Sequence, residues 1–508
     1  MPNPAYNIKT ALDAFGIELA IDLQTGRLIN DSRQVSTGDV FCAVIGSQGD
    51  GRKFIDQAIL SGASLVLAQC HHKQQHGNTI TRKLTDDSGC DIAIEIVQFY
   101  QLDELLFEFA SQYYAEPLSH LKVVGVTGTN GKTSTTQFVA SMLETLGSST
   151  AVIGTTGAGK INNLTPLNNT TPGATELNHL LAGFVEQNIE NVAMEVSSHA
   201  LEQGRISAKH IDVAVFTNLS RDHLDYHQTM EAYAEAKFGL FSQCANQVAV
   251  INGDDGYGQQ WLETLTQPTI VFGKTEVVKA AKRFVYASSI ALTNQGVNFD
   301  VETESASASV SCSLLGEFNV DNLLAAIGAL LALGYPLDAI VPTVTDVLPS
   351  IGRMESFIAK GKALAVVDYA HTPDALENAL NSCRKHCEGE LWVVFGCGGD
   401  RDKGKRAQMG EAAERFADHV VITNDNPRSE APELIANDIL SGCEHPERIT
   451  VMLDRKQAVA STLAHAKPND IVLLAGKGHE NTITIGTNVI EYSERGLVQS
   501  IYQTGERA

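Results

Sequence analysis

The segment from residue 127 to residue 134 has the residue types and spacing needed to bind phosphate. It reads Thr127-Gly-Thr-Asn-Gly-Lys-Thr-Ser134. Glycines let backbone N–H groups converge on a phosphate, a lysine reaches the terminal phosphates of a nucleotide, and a threonine at a helix N-terminus can bind Mg²⁺. The candidate phosphate-binding residues are Gly128, Thr129, Asn130, Gly131, Lys132, Thr133 and Ser134.

The flanking residues favour the same interpretation. A strand-like run, Lys122 to Val126, precedes the loop, and a helical stretch, Thr135 to Leu146, follows it. The strict Walker pattern has glycine where this chain has Val126, but strand, Gly-Lys-Thr and helix occur in the required order. The alternative is a plain strand-to-helix turn. We predict an ATP-binding loop.

Two further polar segments, Met194 to His199 and Asn218 to His227, follow the next long strand-like runs. Parallel strands bring their C-terminal ends to one edge of a sheet, so these segments would gather beside the phosphate loop and could hold a metal. The side chains concerned are Glu195, His199, Arg221, Asp222 and His223.

His223 and His227 are four residues apart, as in zinc hydrolases. However, the glutamate that follows the first histidine of His-Glu-x-x-His is Leu224 here, which disfavours that class of enzyme. By themselves, these histidines would also serve as capping or core residues.

The elements that position these residues form an α/β fold, because short apolar runs alternate with longer helical segments. We predict three domains: a small N-terminal α/β domain (1–118), a central domain with a P-loop-type, mostly parallel sheet (119–350), and a C-terminal Rossmann-like domain (351–508). An antiparallel flap is expected between Arg283 and Leu315. The longest apolar run, Leu323 to Leu337, is too short for a membrane span and predicts a buried helix.

Composition restricts the class of protein further. The formal charge is −23, from 37 Lys and Arg against 60 Asp and Glu, which disfavours nucleic acid and anionic lipid as partners. The nine cysteines lack paired spacing, and Met1 to Tyr6 does not resemble the start of a secretory signal. We expect a cytoplasmic, monomeric protein with reduced thiols and no membrane insertion.

Taken together, the motifs resemble the Mur ligase family of cell-wall peptide synthetases, which includes folylpolyglutamate synthetase relatives. The resemblance covers the whole chain and adds Gly316-Glu-Phe-Asn-Val-Asp-Asn322, Gly396-Cys-Gly-Gly-Asp-Arg401, Asp425-Asn-Pro-Arg428 and Gly476-Lys-Gly-His-Glu480 to the segments above. It implies an ATP-dependent ligase that phosphorylates a substrate carboxylate and lets an amine displace the phosphate.

The resemblance also assigns roles near the phosphate loop. It implies that Lys132, His223 and Lys237 are catalytic, and that Thr133, Glu195 and His223 hold Mg²⁺. It further implies that Lys237 carries a carbamate (N6-carboxylysine), although its position alone would suggest a solvated helix lysine. Further ATP contacts are implied for Asn319, Arg353 and Asp368. A nucleotide bound by two domains would draw them together and exclude water.

The UDP-muramoyl dipeptide is expected, by resemblance, on Ser32, Ser47, Gln48, Gly49, Thr170, Thr171, Ser197, Gln203 and Arg205. Relatives often have His-Gln-Ala where this chain has Ser47-Gln48-Gly49, and a leucine where it has Asn30. Without the family resemblance, two of these segments would be interpreted as turns: Asp31-Ser32-Arg33 and Thr170-Thr171-Pro172.

The incoming amine is expected, by resemblance, to be meso-diaminopimelate. An arginine fork can hold its distal carboxylate, which lysine lacks, while Glu480 takes the distal ammonium. The implied residues are Arg401, Asp425, Asn426, Pro427, Arg428, Gly476 and Glu480. Alternatives are a lysine-adding or folate-polyglutamylating ligase, a non-ligating nucleotide switch, and, for Asp425 to Arg428, a simple turn.

Overall fold

A computed structural model describes residues 6–19, 23–46, 49–86, 88–242, 247–293, 295–349 and 351–504. The chain divides into two compact units: residues 1–271 with 332–334, and residues 272–331 with 335–508. The predicted α/β class is confirmed in both units, since each contains a mainly parallel sheet with helices between its strands.

The first unit begins with a five-stranded sheet of order β3-β4-β5-β7-β6, in which only β6 is antiparallel. Strand β6 is polar and exposed, as suits a sheet edge, and its lack of apolar alternation explains why it was not predicted. The elements are β1 (Tyr6–Asn7), α1 (Ile8–Asp13), β2 (Gln24–Thr25), β3 (Leu28–Ile29), β4 (Val40–Ala43), α2 (Ile55–Leu60), β5 (Leu65–Cys70), β6 (Thr79–Thr85), β7 (Asp91–Tyr100) and α3 (Leu102–Tyr113).

The main sheet of the first unit has the order β11-β10-β9-β12-β8-β13-β14-β15. Strands β9, β12, β8, β13 and β14 are parallel and nearly all their side chains are buried, as expected of a sheet covered on both faces. The elements are β8 (Lys122–Thr127), α4 (Lys132–Thr145), β9 (Thr150–Gly154), β10 (Gly157–Lys160), β11 (Asn163–Thr165), α5 (Ala174–Glu186), β12 (Asn191–Glu195), α6 (Ser198–Glu202), β13 (Val213–Phe216), α7 (Leu224–His227), α8 (Met230–Phe238), β14 (Val248–Asn252), α9 (Gly256–Leu262) and β15 (Thr269–Gly273).

The register of this sheet aligns its functional segments. Glu195 at the end of β12 pairs with Val126 of β8, and Phe216 at the end of β13 pairs with Thr127. The polar segments predicted to gather beside the phosphate loop therefore leave the sheet at the same edge.

The second unit starts with the predicted antiparallel flap and a helix. These are β16 (Phe284–Thr293), β17 (Gly296–Thr303), β18 (Ser307–Cys312) and α10 (Phe318–Ala332). Helix α10 has buried side chains over most of its length, which confirms the prediction of a core helix. Among the described residues, no helix is long and apolar enough to cross a membrane.

A six-stranded sheet of order β19-β20-β24-β21-β22-β23 follows, with β19 the antiparallel strand. The apolar runs at 363–367, 391–395, 420–423 and 471–474, which predict four strands of the C-terminal domain, correspond to β20, β21, β22 and β24. The elements are α11 (Leu337–Ile340), β19 (Glu355–Phe357), β20 (Leu364–Asp368), α12 (Pro373–His386), β21 (Leu391–Phe395), α13 (Gly404–Phe416), β22 (His419–Ile422), α14 (Pro432–Leu440), β23 (Thr450–Val451), α15 (Arg455–His465), β24 (Ile471–Ala475), β25 (Thr482–Ile485), β26 (Asn488–Glu491) and α16 (Glu494–Thr504).

Candidate active site

The phosphate loop joins β8 to α4 through two glycines in the left-handed region, Gly128 (φ 151°) and Gly131 (φ 83°). A Cβ on Gly128 would overlap the Thr217 hydroxyl, so only glycine fits there. No side chain caps the first turn of α4. Backbone N–H groups at such a helix start suit an anion, as the sequence predicted.

Lys132 lies inside the loop. Its Nζ donates hydrogen bonds to the carbonyl oxygens of Gly128 and Thr129, both at 2.9 Å. Burial lowers the pKa of Lys132, and the nearby Glu195 and Asp222 carboxylates oppose this shift. The Lys132 side chain thus points back toward the loop backbone that would surround a phosphate.

Glu195 is buried at the end of β12, next to the loop. Its Oε1 accepts hydrogen bonds from the Thr133 hydroxyl (2.9 Å) and the Thr155 backbone N–H (2.8 Å). Burial raises the pKa of Glu195, and the bonds from Thr155 and the charge of Lys132 oppose the shift. Two of the three predicted metal ligands, Thr133 and Glu195, are therefore in direct contact. Thr155 was missed by sequence reasoning, although it directly follows the end of β9.

His223 lies at the start of α7 with a left-handed backbone (φ 52°), and its side chain is 46% exposed. Its Nε2 is 3.4 Å from Asp222 Oδ2, and its ring is 5.1 Å from that of His199. Among the described residues, no three His, Cys, Asp or Glu side chains lie together as a metal site. The role of His223 stays a prediction.

Lys237 is buried on α8, contrary to what its helical position alone suggests. Only 1% of the residue is exposed, and its Nζ donates to Gly128 O at 2.9 Å and lies 4.5 Å from the centre of the Tyr233 ring. Burial, with a contribution from Lys132, lowers the pKa of Lys237 to about 6. The amine is thus mainly neutral at pH 7.

The predicted UDP-sugar residues of the main sheet form one network beside Glu195. Thr171 donates to the Glu195 carbonyl (2.9 Å) and accepts from the Ser197 N–H (3.0 Å), while Arg205 bonds both the Thr171 carbonyl (3.0 Å) and Gln203. The hydroxyls of Thr170 and Thr155 are 3.1 Å apart.

The remaining residues of this set lie in connections between the N-terminal strands. Ser32 is buried and donates to Gln57 at 3.1 Å, and Asn30 accepts from Thr175 at the start of α5 (3.3 Å). Gly49 accepts a bond from the N–H of Gly46 at 2.8 Å. Ser47 and Gln48 lie outside the described residues.

Three predicted nucleotide contacts belong to the second unit. Asn319 is buried and donates to Leu315 O at 2.8 Å. Asp368, at the end of β20, accepts from the N–H groups of Met354 (2.7 Å) and Ala370 (2.8 Å), and burial raises its pKa. Arg353 lies over the Tyr369 ring at 5.1 Å.

The predicted diaminopimelate residues lie on three loops of the second unit, which follow β21 (Arg401), β22 (Asp425 to Arg428) and β24 (Gly476 and Glu480). Asn426 donates to Glu480 Oε2 (3.0 Å), and Arg428 Nη1 donates to Gly399 O (2.8 Å). A Cβ on Gly398 would lie 3.0 Å from Arg428 Nη1 and 3.5 Å from Arg401 Cγ, so both arginines adjoin this glycine. Gly476, with φ 105°, begins the loop after β24, and its N–H donates to the Asp368 carbonyl.

Lys477 joins the loops after β22 and β24 and was not predicted, although it lies inside a quoted motif. Its side chain is fully buried, and its Nζ is within 3.0 Å of Asp425, Asn426, Glu480 and the Thr482 carbonyl. This cation neutralises the acidic side chains that line the loops and fixes the orientation of the Asn426 amide.

A glycine-rich loop between a parallel strand and a helix, with a lysine inside it and a carboxylate on the next strand, defines a P-loop-type nucleotide-binding α/β protein. The Mur ligase middle domain matches residues 126–330, the Mur ligase glutamate ligase domain residues 352–478, and the Mur ligase family catalytic domain residues 28–114. The chain belongs to the Mur ligase family, and the predicted ligase class is confirmed.

Similar proteins cover nearly the whole chain. The UDP-N-acetylmuramoyl-L-alanyl-D-glutamate--2,6-diaminopimelate ligase of Vibrio vulnificus (strain YJ016) is 46% identical over 486 residues, 95% of either chain. The Vibrio cholerae serotype O1 protein of that name is 44% identical over 474 residues, 93% of either chain. A solved structure of an enzyme of that name has a TM-score of 0.74 at 33% identity and covers 99% of this chain and 100% of its own.

Proposed function

We propose that this chain is an ATP-dependent ligase that joins meso-diaminopimelate to UDP-N-acetylmuramoyl-L-alanyl-D-glutamate, with release of ADP and phosphate, in peptidoglycan precursor synthesis. One observation carries the choice of amine: Arg401 and Arg428 adjoin Gly398, while Asn426 contacts Glu480 on the facing loop. Guanidinium groups suit the distal carboxylate of diaminopimelate, and Glu480 suits its distal ammonium.

The proposal that the chain binds ATP is based on the phosphate loop. Its glycines, Lys132 and the uncapped start of α4 provide hydrogen-bond donors and positive charge for the β- and γ-phosphates. Asn319, Arg353 and Asp368 are proposed as further ATP contacts, as the family resemblance implies.

The residues around Glu195 fit Mg²⁺. Its carboxylate and the Thr133 hydroxyl are hard oxygen donors, and magnesium needs few protein ligands because it retains waters and binds substrate phosphates. When bound, the ion supplies charge screening for the crowded phosphate oxygens. His223 is proposed as the third ligand, as the family resemblance implies.

Lys237 is proposed to be carbamylated. In carbamate formation a neutral amine adds CO2 and releases one proton to solvent, which leaves an anion; burial of Lys237 favours the neutral amine that this reaction needs. Its closeness to Gly128 would place that anion against the phosphate loop, where it can act by electrostatic positioning.

Domain boundaries near residues 118 and 350 are part of the proposal. Both fall in the gaps between the segments matched by the three family domains, 114 to 126 and 330 to 352. In this division the N-terminal domain, with Thr170, Thr171, Ser197, Gln203 and Arg205 of the central domain, binds the UDP-sugar.

The test is ATP-dependent phosphate release with the UDP-muramoyl dipeptide and either diaminopimelate or lysine. Release that requires both the dipeptide and diaminopimelate supports the proposal, and Lys132→Ala should abolish it. Release with the dipeptide and lysine, but not with the dipeptide and diaminopimelate, would indicate the lysine-adding enzyme. Release from ATP without the dipeptide and without an amino acid would indicate a nucleotide switch.

A further inference from the structure

Two adjacent residues at the start of α16, Glu494 and Arg495, form ion pairs with different elements of the second unit, α15 and β19. Glu494 binds Arg455, and Arg495 binds Glu355. Both lie beyond residue 478, where the family match ends, and the motifs of the sequence assigned them no role.

The Glu494–Arg455 pair is completely buried. Arg455 Nε donates to Glu494 Oε2 at 2.7 Å, and its Nη2 donates to Oε1 at 3.0 Å. Tyr492 adds a third bond to Glu494 at 3.0 Å. A buried guanidinium requires a partner of this kind, because an unpaired charge in the interior is strongly unfavourable.

Arg455 uses its other donors on backbone carbonyls. Nη1 donates to Asn424 O at 3.1 Å, and Nη2 donates to Ala475 O at 2.8 Å. Asn424 immediately precedes Asp425, and Ala475 immediately precedes Gly476. One side chain thus fixes the starts of two of the three loops that carry the proposed diaminopimelate contacts, those after β22 and β24.

Arg495 acts on the loop that carries Arg353. Its Nε donates to Glu355 Oε2 at 2.6 Å, and the same oxygen accepts the Gly352 N–H at 2.8 Å. Gly352 also packs against the backbone of Gly478, where a Cβ would overlap. The proposed nucleotide-contacting loop is therefore anchored from the same turn of α16.

We propose that Glu494 and Arg495 are positioning residues: Glu494 holds the amine-binding loops after β22 and β24 through Arg455, and Arg495 holds the nucleotide-contacting loop through Glu355. The inference rests on the proposed function. Because the two side chains act on different loops, their loss should affect different substrates.

The experiment measures phosphate release by the full chain while diaminopimelate and ATP are varied in turn. Glu494→Gln should raise KM for diaminopimelate at least about tenfold and KM for ATP less than about threefold, and Arg495→Met should show the reverse. Matched controls are Asp470→Asn, a buried carboxylate at the opposite end of β24, and Arg384→Met, whose surface pair with Asp418 is also 2.6 Å long. Both controls should retain wild-type KM values.

If Glu494→Gln does not fold, the double variant Arg455→Met/Glu494→Leu removes both charges together and should still show the selective rise for diaminopimelate. Equal changes in both KM values, or a lower Tm with unchanged KM values, would overturn the proposal. A wild-type chain that releases no phosphate with diaminopimelate would instead refute the proposed function.

Discussion

Lys237 Nζ and the carbonyl oxygen of Gly128 are 2.9 Å apart, although 109 residues separate them in the chain. Helix α8 thus places a buried amine against the backbone of the phosphate loop. The contact connects the proposed carbamate to the proposed ATP site and leads to two predictions.

Lys237→Ala should abolish ligation, because it removes the group that would become an anion at the loop. A short carboxylate such as acetate, added in solution, should restore part of the phosphate release by occupying the space left by the side chain. Lys209→Ala, at an exposed lysine of the same unit, is the control. Activity unchanged in Lys237→Ala would rule out the carbamate role.

The pH dependence of the free energy of unfolding should also reflect the burial of Lys237. Its folded pKa of about 6 lies below the ordinary lysine value of 10.5, so the unfolded chain binds more protons between these values and the free energy of unfolding should rise with pH there. In CO2-free buffer, Lys237→Met should show a weaker rise between about pH 6.5 and about pH 8.5. Urea unfolding at several pH values measures this, and identical slopes would contradict the depressed pKa.

Arg428→Ala should impair use of diaminopimelate far more than use of ATP. Loss of a charge-assisted contact should raise KM for diaminopimelate at least about tenfold, or about 1.4 kcal/mol. Phosphate release at varied diaminopimelate and ATP measures both constants. The control is Arg448→Ala, at an exposed arginine of the same unit, and equal losses for both substrates would refute the assignment.

Gly154→Ala should damage the proposed magnesium site from a position outside the phosphate loop. A Cβ at this position would overlap Glu195 Oε1, so the carboxylate must move. We expect kcat to fall at least about tenfold and the Mg²⁺ requirement to rise. Gly256→Ala is the matched control, since nothing lies within 4 Å of its Cβ and its φ is not left-handed. The test measures phosphate release at varied Mg²⁺ concentration. If Gly154→Ala and Gly256→Ala show the same Mg²⁺ dependence, Glu195 does not have this role.

Much of the fold was predictable because apolar runs mark buried parallel strands. The strands at Lys122–Thr127, Asn191–Glu195 and Ile471–Ala475, and the buried helix from Phe318, all follow from such runs. Strand Thr79–Thr85 did not, since it is a polar edge. Lys477 was also missed, because a lysine between two glycines gives no sign that folding will enclose it among Asp425, Asn426 and Glu480.

The sequence by itself determined the phosphate loop, because Gly128, Gly131 and Lys132 act through local backbone geometry that their spacing already encodes. It also determined the family, through motifs distributed over the whole chain. Only the tertiary structure decided that Lys237 is buried and that Arg455 holds the amine-binding loops after β22 and β24. Burial and charge pairing depend on segments that are far apart in the chain. Burial sets the pKa of the Lys237 amine, and the packing of distant segments sets the partners of the Arg455 guanidinium.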